Sequence, residues 1–153
     1  MNAPPPPAAQ IGQLAYFIGT FDCEGTALQV PVRRKLTSKM DLDGHWLFMR
    51  IDEAPSTDRP HPVCGNWQMT FDRAKDCFVS VWTDTLGRWA VQTSPGWEDD
   101  RMTFTGDIPV DGKPGTVRDI LVRRSADEML FLVEFRVDGA WTRYLDTTCK
   151  RLK

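Results

Sequence analysis

Residues 71–107 read FDRAKDCFVSVWTDTLGRWAVQTSPGWEDDRMTFTGD. Three runs in this stretch alternate apolar and polar side chains with period two, over 77–85, 88–94 and 101–108. Such alternation is the signature of strands with one buried face. The runs are separated by polar or glycine-bearing breaks at Leu86-Gly87 and at Trp97-Glu98-Asp99-Asp100-Arg101, which read as hairpin turns. Three successive antiparallel strands are the start of a sandwich or a barrel.

The same rhythm continues outward. Turn residues recur every eight to twelve positions, and ten strands are expected, at about 19–29, 32–42, 45–54, 62–72, 77–85, 88–94, 101–108, 116–124, 129–137 and 140–151. Asp43-Gly44 and Asp138-Gly139 mark two more hairpins. The segment 54–62 (APSTDRPHP) carries three prolines and cannot be a central strand. Residues 10–18 (QIGQLAYFI) are the one helical candidate, with Ile11, Leu14 and Phe17 or Ile18 on one side, and would plug one end of a barrel. Met1 to Ala9 contains four consecutive prolines and no basic or apolar leader pattern. Residues 1–10 are therefore expected to be a disordered tail and residues 11–153 a single domain.

Composition excludes several classes. With 19 basic and 21 acidic residues the net charge is −2, which offers nucleic acid no broad positive surface. No apolar run approaches the ~20 residues of a spanning helix. The four cysteines, at 23, 64, 77 and 149, form no CxxC pair and no zinc spacing with His45 or His61. Four reduced thiols in a cytoplasmic protein are the expectation, with a Cys23–Cys149 bond conceivable if the first and last strands pair. No nucleotide, hydrolase or zinc-protease motif is present, and no metal or cofactor is expected.

Hairpin register assigns the faces. Pairing Phe71 with Phe78, Thr85 with Arg88 and Trp97 with Met102 gathers Trp67, Met69, Phe71, Phe78, Ser80, Trp82, Asp84, Trp89, Val91, Thr93, Met102 and Phe104 on the inside. Arg88 and Gln92 then fall outside. Pairing Leu42 with His45 adds Leu36, Ser38, Met40, Leu47, Met49 and Ile51, with His45 at the rim and with Trp46 and Phe48 on a mixed outer face that lies under a partner or the tail. A homodimer is one expected assembly. Pairing Val137 with Ala140 places Phe131, Val133 and Phe135 with Thr142, Tyr144 and Asp146. So many tryptophans and methionines suit the wall of a cavity.

The expected ligand site is Trp67, Met69, Trp82, Trp89 and Met49 as apolar wall, with Asp84 and Tyr144 as polar anchors. Asp84 is the sharpest polar residue. It is either a ligand anchor or acid/base group beside Trp82 and Trp89, or a cap on the Leu86-Gly87 turn. Asp119, Glu134 and Asp146 stand near Arg118, Arg136 and Arg143 and read first as ion pairs. Two functions follow: a binder of a small apolar or aromatic molecule, or a cofactor-independent cyclase, isomerase or dehydratase using Asp84, then Asp146 or Glu134, as acid/base groups.

A family resemblance supports the fold. LAYFIGTFDCEG (14–25) is similar to the opening strand of small calycin barrels, and the Trp82-Thr83-Asp84 region resembles the middle of an uncharacterised bacterial lipocalin-like family, a domain of unknown function. The likeness extends through TVRDILVRRSADEMLFLVEF (116–135) and RYLDTTCKR (143–151). It implies an all-β, ten-stranded antiparallel barrel with a central cavity, distantly similar to nitrobindins and fatty-acid-binding proteins. Nitrobindins hold haem through a histidine near the C-terminus, and this chain has none after His61.

Overall fold

The computed structural model describes residues 2–153. Eleven strands follow a short N-terminal helix: β1 Gly19–Ala27, β2 Val30–Asp41, β3 Trp46–Glu53, β4 Gly65–Asp72, β5 Cys77–Asp84, β6 Trp89–Ser94, β7 Trp97–Glu98, β8 Arg101–Val110, β9 Lys113–Arg123, β10 Glu128–Arg136 and β11 Thr142–Arg151. They form one antiparallel sheet in the order β6-β5-β4-β3-β2-β1-β11-β10-β9-β8-β7, and β6 pairs with β8 to close it. Ten strands make the barrel wall, and the two-residue β7 is a spur on β8. Closure leaves no long unpaired edge. Among the described residues, no helix is long and apolar enough to cross a membrane.

The closing seam depends on Gly106, which lies opposite Gln92. A Cβ there would stand 2.1 Å from the Val91 carbonyl oxygen, so only glycine lets β6 and β8 approach.

The helix spans Ala9–Phe17 and is of the 3-10 type, with Ile11, Leu14 and Phe17 buried. Three residues per turn align side chains at i and i+3, so Phe17 is the third plug residue and Ile18 stays exposed. Trp97 stacks on Phe17, and Tyr16 sits edge-on to both rings. Arg151 fastens the plug from the last strand, donating to the carbonyl oxygens of Tyr16 and Ile18. Before the helix, Ala8 is buried and Arg73 donates to the Pro6 carbonyl oxygen.

Most registers follow the hairpin reading. Phe71 faces Phe78, Met40 faces Leu47 and Trp97 faces Met102. Two expectations are corrected. In the β5–β6 hairpin, Thr83 rather than Asp84 pairs with Trp89, because the loop holds three residues, Thr85 to Gly87, with Gly87 at φ 74°. A three-residue loop ending in a left-handed glycine displaces the register by one and inverts every side chain of β6. Trp89, Val91 and Thr93 therefore point outward, and Ala90, Gln92 and Ser94 point inward. In the β10–β11 pair, a bulge between Val133 and Glu134 shifts the partner strand. Leu145, Thr147 and Cys149 then face inward, and Asp146 faces solvent.

The thiol expectation is also corrected. Cys23 and Cys149 are direct partners across β1 and β11 and are joined by a disulfide, whereas Cys64 and Cys77 are free. The bond ties the first strand to the last.

Candidate functional site

The inner volume has two halves. Toward the plug it is solid. Trp67, Met69, Met49 and Phe104 are fully buried there, and Trp67 packs against Phe104 and stacks on Phe131. The expected wall residues Trp67, Met69 and Met49 therefore fill the core beneath the cavity instead of lining it.

At the opposite end lies a cavity of about 50 Å³. That is room for roughly four water-sized bodies. Its apolar lining includes Trp82, Ala90, Ile108, Val117, Val133 and Phe135, and Val63 of the proline-rich 54–64 segment stands at its edge. Trp82 owes its place to Gly65, where a Cβ would lie 2.4 Å from the indole ring.

Polar groups converge on this space from five strands and the β5–β6 turn. Arg34, Glu53, Arg88, Gln92, Asp119 and Tyr144 all line it. Arg34 keeps only 9% of its surface, and its Nε has no hydrogen-bond partner among the described residues. Burial pushes the Arg34 guanidinium below its ordinary pKa, a shift that Glu53 and Asp119 oppose. Phe131 supplies a ring face 5.3 Å from the guanidinium carbon. Asp119 accepts a hydrogen bond from the Gln92 side-chain amide, and Gln92 is held in turn by Ser80. Desolvation raises the Asp119 carboxyl to about 6 despite that bond and the positive charges of Arg34 and Arg88.

Two ion pairs frame the mouth. Glu53 accepts from Arg59 at 2.7 and 3.2 Å. This pair ties the 54–64 segment to β3 beside the opening, where Val63 and Tyr144 also line the cavity. Asp84 is fully enclosed and accepts from Trp82 Nε1, Leu86 N, Arg88 N and Arg88 Nε at 2.8–3.1 Å. It caps the turn and holds Trp82 and Arg88 in position.

The other expected residues lie elsewhere. Trp89, 61% exposed, is on the outer surface because of the β6 inversion. Asp146 is on the outer face with Arg143, displaced by the bulge. Glu134 is also on the outer face, clasped by Arg118 and Arg143, which hold its carboxyl below the usual range against the upward pull of burial. Trp82, Asp84 and Tyr144 remain at the mouth.

Residues 10–151 match the model of a family described as a protein of unknown function, DUF1579. The chain belongs to the DUF1579 family. No curated protein matches it. Family membership over almost the whole chain, with a closed ten-stranded barrel, agrees with the expectation of a calycin-like domain of unknown function.

Arg34 and Gln92 were not singled out by sequence, and Asp119, read first as an ion-pair partner, instead accepts from Gln92; Arg34 and Asp119 nevertheless carried a signal. Arg34 is in phase with Leu36, Ser38 and Met40, and Asp119 is in phase with Val117 and Leu121. A charged residue that keeps step with an apolar face is the mark of a group aimed inward.

Proposed function

We propose that this DUF1579 barrel binds a small molecule with an apolar or aromatic body at the mouth opposite the plug. The observation that carries the reading is Arg34, a buried guanidinium whose Nε has no partner among the described residues and whose side chain lines a cavity with aromatic sides. An unpaired buried polar group destabilises a fold, and a ligand atom that meets it recovers that loss. Trp82 and Phe135 flank the body of the ligand, and Tyr144 offers a hydroxyl. The 54–64 segment, latched by Arg59 to Glu53, moves aside to admit it. A distant likeness in architecture to nitrobindins and fatty-acid-binding proteins is part of the same proposal.

The test is a titration with the neutral fluorophore N-phenyl-1-naphthylamine, alongside native mass spectrometry of the purified protein. Binding with a dissociation constant on the order of micromolar, about −8 kcal/mol, is expected, with quenching of tryptophan emission. Absence of binding with this, with several chemically different neutral probes and with small organic acids refutes the proposal.

A second reading has a specific observation behind it. A carboxyl poised near 6 inside a cavity is suited to proton transfer. Any acid/base chemistry here belongs to Asp119, since Asp84 is saturated by donors and Asp146 and Glu134 face outward.

A further inference from the structure

The charges around the cavity are not all taken up in ion pairs. Glu53 is held by Arg59 and Asp84 by Arg88, which leaves Arg34 and Asp119 as the cavity charges outside those two pairs. Arg34 projects from β2 and Asp119 from β9, and both line the same 50 Å³ space. Asp119 is occupied by Gln92 from β6, while Arg34 has a free Nε. The space admits a group of a few heavy atoms, the size of a carboxylate with one or two carbons. Carboxylate and guanidinium are matched in shape and charge.

We propose that the cavity receives the carboxylate of a small organic acid on Arg34, and that Asp119 gains a proton from solvent as the anion enters. This rests on the binding reading above and names its ligand class. The apolar or aromatic body of the acid lies toward the mouth, against Trp82, Phe135 and Val63.

Proton uptake follows from placing a second anion in the space. Asp119 faces Arg34 from β2, Glu53 from β3, Arg88 and Gln92 from the β5–β6 turn and β6, and Tyr144 from β11. Its paired neighbours on β8 and β10, Phe104 and Val133, are apolar. Arg88 and Arg59 already carry carboxylate partners, so among the described residues Arg34 is the one unpaired cation of the lining to balance both Asp119 and a ligand carboxylate. The carboxyl already holds its proton up to about pH 6, and an arriving anion shifts it further in the same direction. Ionised Asp119 opposes the ligand, so affinity falls as pH rises above about 6.

The test is calorimetric titration with acetate, hexanoate and cinnamate, each against its alcohol: ethanol, hexan-1-ol and cinnamyl alcohol. For the tightest pair, the acid is expected to bind at least about tenfold better than the alcohol at pH 6. Its affinity should fall by up to about tenfold per pH unit between 6 and 8. At pH 7.5, buffers of different ionisation enthalpy should report close to one proton taken up per acid bound. Arg34→Met should abolish the preference for the acid. If that variant does not fold, Asp119→Asn serves instead: it should remove both the pH slope and the proton uptake and bind the acid at pH 8 about as tightly as the wild type does at pH 6. Acids and alcohols that bind alike, or an acid preference without pH slope or proton uptake, overturn this proposal and leave the binding site standing. If no member of the panel and no neutral probe binds, both fall.

Discussion

Asp84 and Asp119 are carboxylates near the same opening, and their surroundings give them opposite roles. Asp84 is met by donors on both oxygens, so its charge supports the fold. Asp84→Asn should lower stability by about 3 kcal/mol, the scale of a broken buried ion pair, read by denaturant unfolding. Unchanged stability would contradict the capping role. Asp119 has a raised carboxyl pKa in the folded protein, about 6, against about 4 for an unfolded carboxyl. The folded state therefore binds more protons between these values, and stability is lost as pH rises through that window. Asp119→Asn should be more stable than the wild type at pH 7.5 by on the order of 2 kcal/mol, with the gain vanishing near pH 4. Parallel stability curves for the two proteins from pH 4 to 8 would refute this.

At the scale of elements, the strands were legible in sequence and their faces only partly so. Period-two alternation located all ten barrel strands, and the interior positions of Trp67, Met69, Leu36 and Phe131 followed from it. Alternation does not reveal whether a hairpin loop holds two residues or three, and one residue inverts a whole strand. That is why Trp89 was expected inside and Gln92 outside. The bulge at Val133 and Glu134 escaped for the same reason, since both phases of β11 carry apolar residues. The candidate site suffered most, because Gln92 and Asp119 belong to the strands around the closing seam. Gly106 makes that seam possible. Gly106→Ala should lower stability by roughly 3 kcal/mol, the upper range for overpacking, and amide exchange should accelerate first along β6 and β8. Wild-type stability in this variant would show that the seam is looser than described.

For the whole molecule, ring closure has two locks: the β6–β8 pairing and the Cys23–Cys149 bond between the terminal strands. The disulfide spans 126 positions in sequence, so it restricts the unfolded chain strongly. Its reduction should lower stability by about 2–4 kcal/mol. Alkylation of denatured protein without reductant should modify two cysteines, and with reductant four. Four modified without reductant would show that the strands are held by backbone pairing alone. The halves of the barrel interior divide the labour. A solid aromatic floor under the plug gives rigidity, and the half opposite holds the cavity lined by Arg34 and Asp119.

The central claim is that this polar half is the place where the protein binds its ligand. The most direct measurement is a backbone and side-chain NMR titration of the ¹⁵N-labelled protein with N-phenyl-1-naphthylamine. The account predicts shifts concentrated at Arg34, Gln92, Asp119, the Trp82 indole N–H and the 54–64 segment, with the plug unperturbed. Shifts confined to the outer surface around Trp89, or none at saturating probe, would contradict it.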